Sequence, residues 1–184
     1  MTKKQAYADA VEFARCAPVA FGQVDLLINR PSEGVHVPVA QLTLDRAAGI
    51  VGDRWSTTAW KTLADGAPDP RIQVSLTNTK LMRCFTGPAP NAVHGCGDNL
   101  YVDFNLTEAQ LPVGTRLKVG SAVLEVSDVV NDACGKFAQR FGADALKWVR
   151  APENAPLRLR GIFCTIVASG QVSLGDRIER SLEE

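Results

Sequence analysis

Thr115-Arg116-Leu117-Lys118-Val119-Gly120-Ser121-Ala122-Val123-Leu124-Glu125-Val126 reads as a β-hairpin, with strands over Thr115–Val119 and Ala122–Val130 joined by Gly120-Ser121. The same period of two recurs on both sides of it. Upstream, Val24–Ile28 is a short apolar run, and Val35, Val37 and Val39 alternate with His36 and Pro38 before Leu42 and Leu44. Pro38 has no N–H to give a ladder, so this stretch is expected at a sheet edge or a bulge. Ile72, Val74 and Leu76 restart a strand, and Leu100–Phe104 forms another. Downstream come Leu157–Ala168, a Ser169-Gly170 turn and a last strand through Ile178. Glycine and proline punctuate these runs at Gly49–Gly52, Asp65-Gly66, Gly87-Pro88-Ala89-Pro90 and Gly95–Asn99.

Helical spacing is confined to three places. Ala6, Ala10, Phe13 and Ala14 share one side of residues 3–16, with Thr2 as the cap and Pro18 beyond the end. Asn78–Phe85 reads as a short helix, and 132–150 as two more, broken at Gly142. Eight or more short strands with few helices point to a mainly β (α+β) barrel or sandwich and not to alternating β-α units. One domain is expected over residues 21–184, preceded by an N-terminal helical arm over 1–20.

The composition narrows the function. The chain has 184 residues, 46% of them hydrophobic and 22% charged, which excludes a disordered chain. Twenty basic residues balance twenty acidic ones, so no global excess of charge argues for nucleic acid. No run approaches the ~18 apolar residues of a membrane span. The N-terminal residues lack the apolar core of a signal peptide, and the chain reads as cytoplasmic. Five scattered cysteines make a poor disulfide framework, and two histidines are too few for a closed zinc site. His94-Gly95-Cys96 offers two metal ligands with nothing at suitable spacing to complete them. There is no dinucleotide fingerprint, no P-loop and no Gly-x-Ser-x-Gly elbow.

One thiol stands apart. From Asp98 to Asp132 the chain carries six acids against two bases, and from Lys136 to Arg160 six bases against two acids. Cys134 lies at the start of that basic stretch. Asp132 is a candidate N-cap, which would put Cys134 in the first helical turn, where neighbouring Lys and Arg favour the thiolate. Thiolate attacks sulfur and ligates soft metals. Equally, Cys134 suits a small hydrophobe packed at a strand-to-helix corner. Arg158 and Arg160 would share one face of a strand Leu157–Arg160, an arrangement suited to phosphate or carboxylate or, alternatively, to an outer solvated face. Cys164 is expected in the core, and Cys84 on an apolar helical patch beside Met82 and Phe85.

Gly97-Asp98-Asn99-Leu100-Tyr101-Val102, Leu111–Val126, Ala133-Cys134-Gly135-Lys136-Phe137, Arg140-Phe141-Gly142, Leu159-Arg160-Gly161-Ile162 and Gly170–Asp176 together resemble the MOSC domain, the C-terminal domain of molybdenum cofactor sulfurases, which also occurs alone in small bacterial proteins. Gly49-Ile50-Val51-Gly52-Asp53-Arg54 is similar to that family's upstream turn, although Trp55 stands where many members have His. Many members also have Pro directly before the cysteine, where this chain has Ala133. The resemblance implies a β-barrel with short flanking helices. It implies that Cys134 is the functional cysteine, either ligating molybdenum in a pterin cofactor (molybdopterin) or carrying sulfur as a persulfide. By matching position it assigns cofactor binding to Asn99 and Arg160, with Lys136 and Arg158 added. It implies reduction of N-hydroxylated or other N-oxygenated small molecules, with an electron-transfer protein or a cysteine desulfurase as partner. A non-catalytic module binding an anionic ligand is the further alternative. Pyridoxal phosphate belongs to a separate desulfurase domain of the sulfurases and is not expected in this chain.

Overall fold

The computed structural model describes residues 2–87, 89 and 91–181. In chain order the elements are α1 (Lys3–Cys16), β1 (Phe21–Asn29), β2 (Val37–Val39), β3 (Gln41–Asp45), β4 (Gly49–Ile50), α2 (Trp55–Thr58), β5 (Val74–Asn78), α3 (Thr79–Thr86), β6 (Leu100–Asp103), β7 (Arg116–Val119), β8 (Ala122–Val126), α4 (Gly135–Phe141), α5 (Ala143–Val149), β9 (Ile162–Ala168), β10 (Gly170–Ser173) and β11 (Arg177–Arg180). Short 3-10 turns lie at Pro70–Ile72, Ala92–Cys96 and Pro152–Leu157.

The barrel closes through the strand order β11-β7-β8-β9-β5-β6-β1, with β1 pairing back onto β11 and β2 added outside on β1. The β7–β8 hairpin is its most legible piece. Leu117 pairs with Leu124 and Val119 with Ala122, all four fully buried, so the alternation seen in the sequence becomes one inward face. Pairing ends at Val126, short of the expected Val130. All other barrel pairings are antiparallel, but β5 and β6 run parallel. A parallel pair requires a crossover, which α3 and the turn after it supply. Asn78 ends β5 and caps α3, its side-chain oxygen accepting from Leu81 N at 3.0 Å. The break expected at Gly87–Pro90 lies partly on Pro88 and Pro90, outside the described residues. Pro38 sits in β2, whose only strand partner is β1, as an edge position requires. A smaller sheet, β10-β3-β4, packs alongside.

Two apolar clusters result. The barrel interior holds Val24, Leu27, Leu76, Leu100, Phe104, Leu117, Leu124 and Ile166 among others, all within 5% of full burial. The second lies outside the barrel, where α1, α3, α4 and α5 cover Ile28 and Tyr101. A register shift between Val24 and Leu26 lets β1 serve both, turning Val24 and Leu27 inward and Ile28 outward. Thr2 caps α1 as the sequence implies, accepting from Gln5 N at 3.2 Å. Buried Ala10 and Ala14 join the second cluster, and Tyr7 stacks on Trp148 of α5 with ring centroids 4.2 Å apart. Phe85 meets Phe137, Phe141 and Trp148, which seats α4 and α5 against the barrel. Among the described residues, no helix is long and apolar enough to cross a membrane.

Two local expectations are corrected. Leu157–Arg160 is not a strand: it ends the 3-10 turn Pro152–Leu157, Arg158 takes a left-handed backbone (φ 48°), and β9 begins only at Ile162. Two prolines and a six-residue 3-10 turn prevent ladder pairing there. Asp132 is also not the cap of α4; Cys134 itself is, with extended backbone, so the helix starts one residue beyond it. The Asp132 carboxylate instead lies 3.3 Å from Arg150.

Candidate functional site

Cys134 is exposed at the N-terminal end of α4. Its carbonyl accepts from Phe137 N at 2.9 Å and Ala138 N at 3.2 Å, which starts the helix. Among the described residues its thiol has no hydrogen-bond partner. Directly before it, Ala133 has φ 67°, a left-handed conformation that costs a residue with a Cβ about 1–2 kcal/mol. The Cys134 thiol is therefore presented by a strained backbone.

Beyond this thiol, helix α4 carries two cations, Lys136 and Arg140. Lys136 hydrogen-bonds Glu33 in the segment between β1 and β2, and this contact pulls the Glu33 carboxyl below its usual range. About one turn on, Arg140 donates to the carbonyl of Cys96 at 3.1 Å. Gly97, at φ 90°, has neither side chain nor bulk to fill the space above it. A Cβ there would meet His36 Nε2 at 3.5 Å and Arg140 Nη1 at 3.8 Å. Burial lowers the pKa of the His36 imidazole, and Arg140, Arg30 and Arg54 push it the same way. Among the described residues, neither His36 nor the Arg54 side chain has a hydrogen-bond or ion-pair partner. His36 thus stands among Arg30, Arg54 and Arg140, above the Gly97 backbone.

Beneath Gly97 runs a buried polar network. Arg30 forks onto Asp53 (Nε to Oδ2 2.8 Å, Nη2 to Oδ1 3.1 Å) and reaches the Gly97 carbonyl at 2.9 Å. Asn99, fully buried, donates to Asp53 at 3.0 Å and to the Ile28 carbonyl, while its own oxygen accepts from Ser75 N and Oγ. Each polar atom of that amide is occupied, so Asn99 braces Asp53 and through it Arg30. Arg160 is a second buried brace. It pairs with Asp98 at 2.5 Å, donates to the Cys96 carbonyl at 3.2 Å and lies 5.8 Å from the Phe137 ring centroid. Burial works against its charge, and the Asp98 carboxylate more than offsets that cost.

Arg158 goes elsewhere. Its guanidinium, half-buried with a pKa lowered by burial, donates to the Leu111 carbonyl at 2.6 Å and lines a cavity of about 470 Å³ with Asn131, Asp132 and Arg150. The shared face expected of Arg158 and Arg160 therefore does not exist. Arg160 and Asn99 meet at the Cys96–Asn99 loop, Lys136 is tied to Glu33, Cys134 stands exposed at the start of α4, and Arg158 lies elsewhere. Three other cysteines are quiet, burial raising Cys96 and Cys84 to about 11 and the barrel core enclosing Cys164, whereas Cys16 is exposed on α1.

Arg30, His36 and Arg54 were not singled out from the sequence as site residues. Arg30 follows an apolar strand without a motif of its own, and His36 sits in an alternating run that suggests only a strand. Their one local signal is the Gly-Asp-Arg turn carrying Arg54.

The family model of the MOSC domain matches residues 71–179. Three solved structures share the fold. The YUAD protein from Bacillus subtilis is 21% identical, with a TM-score of 0.62 over 89% of this chain and 97% of its own. YiiM from Geobacillus stearothermophilus is 14% identical, with a TM-score of 0.59 over 87% and 75%. YiiM from Escherichia coli is 18% identical, with a TM-score of 0.56 over 88% and 71%. A comparison with curated proteins finds no match.

Proposed function

Since the chain belongs to the MOSC domain family, we propose that it holds a molybdenum cofactor with the Cys134 thiolate as the protein's ligand to the metal, for reduction of N-oxygenated small molecules. The observation that carries this reading is an exposed, unpartnered thiol at the start of α4, the helix whose Arg140 stands beside His36 over Gly97.

The residues fit such a group in three respects. Among the described residues, no three His, Cys, Asp or Glu side chains converge as metal ligands. A metal held here would take one soft ligand from the protein and bring the rest with its cofactor. Glycine at 97 lets His36 and Arg140 stand close over its backbone, which sets an imidazole and a guanidinium side by side. The free Arg54 guanidinium and the Arg140 edge suit a phosphate, which guanidinium groups bind with paired donors. When bound, the cofactor would supply a centre able to take up the substrate's oxygen atom while giving two electrons to the substrate, the electrons being replaced by a separate donor.

The chain's own residues do the rest. Lys136, tied to Glu33, fixes α4 against the β1–β2 segment. Asn99 and Asp53 hold Arg30 beneath Gly97, and Asp98 holds Arg160 beneath Cys96. These buried carboxylates neutralise two guanidinium groups and keep them in place. The site's free positive charge comes from Arg54 and Arg140. His36, uncharged near neutrality, is available to move a proton at Nε2.

Elemental analysis tests the reading. Protein from a host that makes molybdenum cofactor should contain near-stoichiometric molybdenum, lost in Cys134→Ala and kept in Cys16→Ala. With metal present, a reduced viologen dye and an N-hydroxylated base test the reaction, and a partner electron-transfer protein would replace the dye in the cell. No metal in the wild type would overturn the cofactor reading. One extra sulfur on Cys134 after incubation with a cysteine desulfurase and cysteine would then favour a persulfide carrier.

A further inference from the structure

We propose that Arg150 is the positioning residue for Cys134: its guanidinium grips the peptide just before the cysteine and fixes where the thiol stands. This rests on the reading of Cys134 as the functional thiol.

The segment from Ser127 to Cys134 crosses from β8 to α4 without a strand partner. Its first N–H bonds the Phe163 carbonyl at 3.0 Å, and α4 takes over at the Cys134 carbonyl. Between these points Arg71 meets the Asp128 carboxylate at 3.2 Å, and two further side chains hold the segment. Asn131 Nδ2 donates to the Arg160 carbonyl at 3.0 Å. Arg150 does more, with Nε donating to the Asp132 carbonyl at 3.0 Å and Nη2 to the Ala133 carbonyl at 2.9 Å. The Asp132 carboxylate sits 3.3 Å from the same Nε. Both carbonyls that the guanidinium grips flank the Ala133 backbone at φ 67°. A left-handed alanine persists only where its surroundings hold it there.

Arg150 is placed for this by the α4–α5 hairpin. Gly142, at φ 92°, turns the chain between the two helices, and Arg150 caps α5, its N–H bonded to the Leu146 carbonyl at 3.1 Å. The hairpin that follows the cysteine thus returns to grip the residues that precede it. A planar fork with several donors bridges two successive carbonyls, and a lysine ammonium on a flexible stem does not hold the same geometry. Arg150 and Asp132 also line the 470 Å³ cavity, so a small cation can reach the place that a shortened side chain would vacate.

The test compares limited alkylation by iodoacetamide at Cys134 and at Cys16, an exposed thiol on α1 that serves as the internal reference. It uses protein from a host that makes no molybdenum cofactor, so it can fail independently of the metal measurement. Alkylation proceeds through the thiolate. In Arg150→Ala the peptide is released, and the thiol is no longer held at one position at the start of α4. The Cys134:Cys16 rate ratio should change by about threefold or more, and Arg150→Lys, which keeps the charge but not the fork, should change with it. Guanidinium chloride at roughly 50 mM, far below denaturing levels, should restore the ratio in Arg150→Ala, and sodium chloride should not. A wild-type ratio in Arg150→Ala, or full restoration by Arg150→Lys, would overturn the proposal. If Arg150→Ala fails to fold, the Arg150→Lys ratio decides alone.

Discussion

Replacing Asp98 with Asn removes a charge from the protein interior without changing the shape of the side chain. The Asp98 and Arg160 side chains are 2% and 10% exposed, and their contact is 2.5 Å. The amide can still accept one hydrogen bond, but it leaves the guanidinium charge uncompensated in a site where water cannot reach it. Breaking a buried pair by removing one partner costs about 3–5 kcal/mol. The retained hydrogen bond and the Cys96 carbonyl place this variant near the lower end. For a chain of this size, about 3 kcal/mol corresponds to a fall in Tm of roughly 6–12 °C. In urea it moves the midpoint by roughly 1.5 M at a typical slope. The assay is urea unfolding followed by circular dichroism and tryptophan fluorescence. The control is Asp98→Asn combined with Arg160→Met, which removes the stranded charge and should recover about 2 kcal/mol or more. A single variant within about 1 kcal/mol of wild type would refute the claim that Asp98 offsets a buried charge. A double variant no more stable than the single would refute it as well.

Leu124→Ala empties a fully buried position in the barrel interior and should cost about 2–5 kcal/mol in urea unfolding. Gly161→Ala should cost roughly 2 kcal/mol or more, because its φ of 86° strains any Cβ and that Cβ would collide with the Leu76 carbonyl. His36 should titrate below 6.5 by NMR, since burial and three guanidinium groups disfavour its charged form. The unfolded chain then takes up the proton first as pH falls, so stability is highest above about 6.5 and declines below it. His36→Gln should flatten that decline, and inorganic phosphate beside the imidazole should raise its pKa; a titration at or above 6.5 in phosphate-free buffer would refute the geometry. Cys134→Ala should leave stability within about 0.5 kcal/mol of wild type, because the exposed thiol has no partner to lose.

The sequence by itself determined the local structure and the family. Alternation over Arg116–Val126 fixes which side chains face inward, because a strand's period of two needs no long-range information. Thr2 and Asn78 cap their helices, and Gly142 breaks α4 from α5, all through chemistry within four residues. The family motifs around Cys134 and Gly97 are likewise contiguous in the chain. Tertiary structure alone decided what each charge does. Asn99 and Arg160 lie in recognisable motifs, yet their partners Asp53, Ser75 and Cys96 come from other segments and occupy them in the interior. Arg158 looks like the twin of Arg160 two residues away, but a left-handed backbone after a proline-bounded turn sends it to another cavity. Arg30, His36 and Arg150 carry no signal because their roles arise from contacts spanning 17 to 67 residues of sequence. A guanidinium's reach extends over several ångströms, so its partner is set by how the barrel closes and not by its neighbours in the chain.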